Sequence, residues 1–116
     1  MNRLAIFVLL AALAAPAFAQ STIPVGIGVG QTVVFTTVDA VQLVSNRFYV
    51  TGVVEGEAAA STRYVTFNAN DPELNRGACE RLAVLALERP GRYRLEVAYY
   101  PPNYQGSTCK LVRANP

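Results

Sequence analysis

The sequence predicts a small, mainly β domain with one helix (α+β), folded as a five-stranded Greek-key barrel with the helix between strands 3 and 4. Three observations lead to this prediction. Residues 92–100 alternate between polar and apolar side chains, as expected of a half-buried strand. Residues 82–87 are apolar at every position and precede Pro90-Gly91, which indicates a buried helix with a stop signal. Two cysteines, Cys79 and Cys109, bracket these two elements.

Residues 1–19 are predicted to be a secretory signal peptide rather than part of the fold. Asn2-Arg3 gives a positive start, residues 4–15 form an unbroken apolar run, and Ala17-Phe18-Ala19 provides a cleavage site before Gln20. The alternative is a membrane anchor, but a spanning helix needs about 20 apolar residues. We therefore expect cleavage after Ala19 and a secreted or periplasmic protein with no membrane span in the mature chain.

Cleavage would leave a chain of 97 residues, 19 fewer than the 116 of the full sequence. That chain carries nine basic and eight acidic side chains, because Arg3 is lost with the signal peptide. A chain so close to neutral offers no electrostatic basis for binding nucleic acid or an anionic membrane. Its length suits one domain, in which residues 20–30 form an N-terminal arm or edge strand and residues 31–116 form the barrel.

The two cysteines are predicted to form one disulfide within the chain. Cys79 and Cys109 are the only cysteines in the sequence, and two cysteines in an exported chain usually form a bridge. The alternatives are a pair of free thiols or a link between two chains. The bridge would join the start of the helix to the last strand.

The first half of the barrel is predicted to begin with two strands. Residues 31–44, rich in Val, Phe and Thr, exceed the usual strand length, and Asp39-Ala40 in the middle suggests a bulge. Such a bulge would let this strand serve two sheets. Residues 48–54 form the second strand, in which Gly52 indicates a sharp bend or a close approach of another backbone segment.

The third strand, residues 64–67, follows a loop at residues 55–62 and leads to the single helix. Asn70 with Glu73, or Asp71 with Pro72, marks the start of a helical turn. Gly77 weakens the middle of that stretch, so the firm helix is expected to begin near Ala78. One side of the helix should face the core, and a second apolar side needs cover from the N-terminal arm, a loop or another chain. The core side consists of Cys79, Leu82, Ala83 and Ala86, and the second side consists of Val84 and Leu87, the predicted oligomer contacts.

The second half of the barrel is predicted to contain the strand at residues 92–100, a turn-rich loop at residues 101–107 and a short strand at residues 109–113. Three strands, a helix and two further strands are the element order of the OB-fold, a small and partly open Greek-key barrel. In that fold the helix would plug one end of the barrel.

The C-terminal half also resembles a known family. The residues that carry the likeness are LAVLAL at 82–87, Gly91, and YRLEVAYYP at 93–101. They resemble the second half of the B subunits of bacterial toxins, and the subtilase-cytotoxin and pertussis-like branch is closest in pattern. The resemblance implies an exported OB-fold domain that forms a ring pentamer and binds cell-surface glycans. The front of the chain departs from the family, because no serine-centred sugar site can be matched there.

The residue types argue against several kinds of catalysis. The sequence has no histidine, which removes Ser-His and Cys-His catalysis and histidine-ligated zinc. Glu55 and Glu57 would suit a glycosidase pair or a calcium site, but two carboxylates beside a Gly-Ala-Ser loop are more often solvated. The sequence contains no phosphate-binding loop and no metal-spaced cluster. We therefore expect no enzyme activity, no cofactor and no metal site.

An aromatic loop between the last two strands is the predicted ligand site. Tyr100, Asn103 and Tyr104 cluster around Pro101-Pro102, and tyrosines with a nearby amide suit sugar stacking and hydrogen bonding. OB-folds bind oligosaccharides or oligonucleotides on one strand face and the loop between the last two strands. The alternative is that Tyr99 belongs to the core and the other aromatic residues pack against the loop or lie in a subunit contact.

A second candidate surface is basic. Arg92 and Arg94 lie on the outer side of the fourth strand, and Lys110 and Arg113 on the last strand would lie beside them. The sequence favours a solvated strand face that includes Glu96, because four scattered cations give little affinity at physiological salt.

These observations predict a small exported binding module that recognises a glycan or a cell-envelope partner. The alternative is a structural or assembly protein that acts through homo-oligomerisation without a small ligand. A nucleic-acid binder of the cell envelope is a third hypothesis, and it would lose affinity steeply with salt.

Overall fold

The computed structural model describes residues 23–67, 73–100 and 106–115. The predicted signal peptide and its cleavage site after Ala19 lie outside the described residues. In chain order the elements are β1 (Val25–Gly26), β2 (Thr32–Phe35), β3 (Ala40–Val44), β4 (Arg47–Val53), β5 (Ala60–Thr66), α1 (Glu73–Glu88), β6 (Tyr93–Ala98) and β7 (Thr108–Arg113).

The strands form two sheets, which confirms a mainly β fold with one helix. The four-stranded sheet has the order β1-β5-β4-β3, and the three-stranded sheet has the order β2-β6-β7. All neighbouring strands are antiparallel except β1, which pairs in parallel with β5 at the edge of the larger sheet. The helix α1 contacts β3, β6 and β7, so it spans both sheets.

The predicted five-stranded OB-fold barrel, with its helix between strands 3 and 4, is wrong as stated. Seven strands are present in the described residues, and α1 follows the fifth of them. The count differs because the N-terminal arm contributes β1 and because the long first strand is broken at residues 36–39 into β2 and β3. Among the described residues no ladder joins β5 to β7, so the two sheets do not close into one barrel.

The break in the first strand has the predicted effect, because its two halves pair in different sheets. β2 pairs with β6, and β3 pairs with β4. Backbone hydrogen bonds tie the break to β4 on both sides: Thr36 N donates to Val53 O at 2.8 Å, and Asp39 N donates to Thr51 O at 2.7 Å. The close approach predicted at Gly52 is confirmed, since a Cβ atom there would lie 1.9 Å from the Thr37 carbonyl oxygen.

The core lies between the sheets and under the helix. Alternation on β4 buries Phe48 and Val50, and alternation on β6 buries Leu95 and Val97, as period-two patterns require. The third strand starts earlier than predicted, at Ala60 rather than Tyr64, because residues 60–62 pair with the end of β4 despite their weak strand propensity.

The helix begins at Glu73, five residues before the predicted firm start near Ala78. Gly77 is therefore inside the helix, where it costs about 1 kcal/mol relative to alanine. Packing of the predicted core side offsets this cost: Cys79, Ala83 and Ala86 are buried and Leu82 packs against the core. The helix ends at Glu88, just before the predicted stop at Pro90-Gly91.

The predicted disulfide between Cys79 and Cys109 is confirmed, with a Cα–Cα distance of 5.1 Å. It joins the second turn of α1 to β7. A second link lies nearby, where the Asn75 side-chain amide donates to the Ser107 carbonyl oxygen at 3.1 Å. Within the described parts of the chain, no helix has the length and hydropathy needed to cross a membrane.

Candidate functional site: the outer face of the four-stranded sheet

The predicted aromatic loop is only partly described. Tyr100 follows β6 in a left-handed conformation (φ 48°), and its ring packs edge-on against Tyr99 with the ring centroids 5.0 Å apart. The backbone of Tyr99 is tied to the N-terminal arm, since Gly30 N donates to its carbonyl oxygen at 2.7 Å. Asn103 and Tyr104 lie outside the described residues, so the loop site stays a prediction.

The paired-carboxylate site considered for Glu55 and Glu57 is contradicted by their contacts. Glu57 forms an ion pair with Arg63 at 2.6 Å, and Glu55 forms one with Arg94 at 3.2 Å. Each carboxylate is thus directed to a different arginine. The described residues also contain no cluster of three or more His, Cys, Asp or Glu side chains that would hold a metal ion.

The outward-facing residues of the four-stranded sheet form a more complete site, which we call the tyrosine face. One row of directly opposed residues crosses all four strands, in the order Gly26, Tyr64, Tyr49 and Gln42. The rings of Tyr49 and Tyr64 lie 5.3 Å apart at an interplanar angle of 42°. Three of the four strand neighbours of the tyrosines are buried, so the tyrosine face points away from the core.

A cation completes one side of the tyrosine face. The guanidinium carbon of Arg47 lies 4.9 Å from the centroid of the Tyr64 ring, within the range of a cation–π interaction. A hydrogen bond with the Tyr49 side chain, followed by electrostatic interaction with Tyr64, raises the pKa of Arg47 above its usual value. Arginine is charged at every physiological pH, so Arg47 adds a permanent positive charge beside the Tyr64 ring.

Hydroxyl groups complete the other side. Thr51 and Thr62 are directly opposed, and their hydroxyl oxygens lie 2.7 Å apart in a hydrogen bond. At the sheet edge, the Tyr64 ring lies over Gly26. A Cβ atom at residue 26 would lie only 3.2 Å from Cζ and Oη of Tyr64, so the absence of a side chain leaves room for that ring. The tyrosine face thus combines two aromatic rings with a guanidinium, an amide and two hydroxyls on one surface.

Sequence reasoning missed the tyrosine face. The alternation of Phe48 and Val50 would have placed Tyr49 on the outer side of its strand, but residues 60–66 show no clear alternation to place Tyr64. The register that sets them opposite each other is a property of strand pairing, which the alternation leaves open. The aromatic loop drew attention instead because its tyrosines are adjacent in the sequence.

The predicted oligomer contacts lie on an exposed apolar patch of α1. Val84 is 43% exposed and Leu87 is 36% exposed, and Leu85, which the sequence did not single out, is 41% exposed. An apolar groove of about 430 Å³ beside them is lined by Glu80, Arg81, Val84 and Leu85. We call Val84, Leu85 and Leu87 the helix patch.

Comparison with known proteins gives no relative from which a function could be transferred. No family model matches the chain, and no match was found to curated proteins or to solved structures.

Proposed function

We propose that this chain is an exported binding module that recognises a glycan through the tyrosine face. The single observation that carries the proposal is the row across four strands that sets Tyr49 between Tyr64 and Gln42. Sheets of this kind often have one solvated face. Here that face carries two adjacent aromatic rings, a cross-strand pair that stabilises the sheet and also offers a stacking surface.

The side chains of this face match the chemistry of a sugar. The apolar face of a pyranose ring can pack on a tyrosine ring, and its hydroxyls need both donors and acceptors. Gln42 offers an amide, Arg47 offers donors, and the Thr51–Thr62 pair offers hydroxyls. A single-stranded nucleic acid would also stack on the rings, but it would need a track of cations along its phosphates.

Export is part of the proposal. The Cys79–Cys109 bridge supports it, because disulfides persist in oxidising compartments and are rare in the cytosol. The predicted cleavage after Ala19 would supply the route. Mass spectrometry of the secreted chain tests this part directly. A mass that corresponds to a chain starting before Gln20 would contradict the predicted cleavage.

A glycan array followed by titration of the strongest glycan tests the proposed ligand class. Tyr64→Ala is expected to weaken binding about tenfold, since an aromatic contact contributes roughly 0.5–1.5 kcal/mol beyond its buried area. Tyr49→Ala is expected to act similarly. Both tyrosines are only half-buried, so circular dichroism and thermal unfolding should show that the variants stay folded.

Tyr104→Ala serves as the matched control, because Tyr104 belongs to the competing loop site. An unchanged affinity in this variant, with a loss in Tyr64→Ala, supports the tyrosine face. The reverse pattern would move the site to Tyr100, Asn103 and Tyr104. A wild-type chain that binds no glycan on the array would contradict the proposal, and a steep loss of affinity for single-stranded oligonucleotides with salt would favour nucleic acid instead.

The helix patch supports a second candidate function, assembly into a homo-oligomer. Three exposed apolar side chains within about one helical turn, beside an apolar groove, are typical of a contact surface. The resemblance to toxin B subunits would make the assembly a pentamer. This function is compatible with glycan binding, since the helix patch and the tyrosine face lie on different elements.

Sedimentation velocity at high micromolar concentration tests the assembly. The wild-type chain is expected to sediment as an oligomer, and Val84→Glu with Leu87→Glu should convert it to a monomer by placing charges in the contact. Glu88→Gln, on the exposed last residue of the same helix, is the control and should leave the oligomer intact. A wild-type monomer at this concentration would remove this candidate.

A further inference from the structure

A polar cavity lies at the end of the three-stranded sheet, where β6 begins and β7 ends. Its volume is about 400 Å³, and it is lined by Gly91, Arg92, Tyr93, Arg113 and Asn115. We infer that this cavity, the arginine cavity, binds the carboxylate, sulfate or phosphate group of a small organic ligand. The inference is independent of the tyrosine face, which belongs to the other sheet.

Strand register brings the lining residues together. Tyr93 and Arg113 are directly opposed, so their side chains start on the same face of the sheet. The next pair on that face is Leu95 and Leu111, and Leu95 is completely buried. The arginine cavity therefore lies where the rim of the core meets solvent, and both of its arginines are exposed.

The backbone fixes Arg92 relative to Arg113. Arg92 N donates to Arg89 O at 3.1 Å, and Ala114 N donates to Arg92 O at 3.0 Å. Gly91 has a φ of 81°, which lets the chain turn sharply from the helix into β6. The residues that follow α1 and those that follow β7 are thus joined directly, and both arginines are carried on one preorganised frame.

The two arginines that line the cavity differ in their charged neighbours from Arg94 and Lys110, the other residues of the predicted basic surface. Arg94 forms an ion pair with Glu55 at 3.2 Å, and Lys110 lies directly opposite Glu96. Among the described residues, neither Arg92 nor Arg113 has a carboxylate within 4.0 Å, and no acidic residue lines the cavity. Two uncompensated guanidinium groups beside one cavity are the arrangement that carboxylates and phosphates favour, because arginine binds both in a bidentate manner.

The size of the cavity indicates the kind of anion. Sites for small organic molecules measure roughly 300–1,000 Å³, so about 400 Å³ is more than a bare inorganic ion needs. The hydroxyl and ring of Tyr93 and the amide of Asn115 provide contacts for the scaffold that carries the charge. An acidic monosaccharide or a sugar phosphate has the required size and polarity.

Three probes that share one sugar ring test the inference: sodium glucuronate, glucose 6-phosphate and neutral glucose. Each is titrated into ¹⁵N-labelled protein at physiological salt, with any purification tag at the N terminus because the cavity includes Asn115. The two anionic probes are expected to give saturable shifts of the amides at residues 91–93 and 113–115, and glucose none. Arg113→Gln and Arg92→Gln should each weaken binding about tenfold, the loss expected for one charge-assisted hydrogen-bonding partner.

Arg94→Gln is the matched control, since Arg94 lies on the same strand as Tyr93 but faces outward and pairs with Glu55. Its affinity for the probes should stay within about twofold of wild type, because exposed ion pairs contribute little. If Arg94→Gln and Arg113→Gln lost affinity for the anionic probes equally, the inference would be overturned, because the probes would then be attracted by the surface charge in general. The inference would also be overturned if glucose bound as tightly as glucuronate, or if inorganic phosphate bound as tightly as glucose 6-phosphate. It would equally be overturned if no probe gave a saturable shift at millimolar concentrations.

Discussion

Gly52→Ala is expected to lower the free energy of unfolding by at least about 3 kcal/mol, which is at the upper end of overpacking effects. The added Cβ atom would meet the Thr37 carbonyl oxygen at 1.9 Å and the Thr37 carbonyl carbon at 2.9 Å. Both are backbone atoms, so no side-chain rotation relieves the clash. The flanking hydrogen bonds from Thr36 to Val53 and from Asp39 to Thr51 would have to lengthen or break.

Urea unfolding followed by circular dichroism measures this loss. In thermal unfolding it corresponds to a decrease of about 12–24 °C for a domain of this size. Gly77→Ala is the matched control, because a Cβ there meets only Nη1 of Arg81, at 3.5 Å. This variant should be up to about 1 kcal/mol more stable than wild type. A Gly52→Ala protein within about 0.5 kcal/mol of wild type would show that the two segments are not in close contact at this position.

The features that could be predicted from the sequence are those set by local pattern. Alternation in residues 92–100 identified the buried side of β6, and the 3–4 spacing of Cys79, Ala83 and Ala86 identified the core side of α1. Gly52 marked the close approach because a glycine inside a strand often lies where another backbone segment comes near. Each of these signals acts within a few residues of the chain.

The errors arose where distant segments decide the structure. Residues 60–62 join β5 because β4 offers them partners, although their own propensity predicts a loop. The helix extends back to Glu73 through Gly77 because packing outweighs the local cost of a glycine. Whether the strands close into a barrel depends on a pairing between β5 and β7, and no local pattern in either strand encodes it.

The same division between local pattern and distant pairing applies to the candidate sites. The tyrosine face requires the register of four strands, and the arginine cavity requires the register of β6 with β7 and the turn after α1. The sequence pointed to Arg92 and Arg113 but grouped them with Arg94 and Lys110. Strand pairing sets Arg113 opposite Tyr93, on the face away from Arg94 and Lys110, and Arg94 is paired with Glu55.

Removing the disulfide is the second change with a large expected effect. The double variant Cys79→Ala/Cys109→Ala should lose about 3–4 kcal/mol of unfolding free energy, the value expected when a loop of this length is no longer closed. The bridge spans 30 residues that include most of α1 and all of β6, so the reduced chain must order both elements without it. Hydrogen exchange should show the largest loss of protection in α1 and β7, the two elements that the bridge joins.

Reductant provides an independent measurement of the same effect. Treating the wild-type chain with a phosphine reductant should lower its stability to that of the double variant, and the double variant itself should not respond. Because domains of this kind are stable by only about 5–15 kcal/mol, the loss leaves a small margin. The remaining contacts of Ala83 and Ala86 with the core and the Asn75–Ser107 hydrogen bond would then hold the helix alone. A wild-type chain whose unfolding midpoint is unchanged by complete reduction would show that packing, rather than the covalent link, fixes α1 on β7.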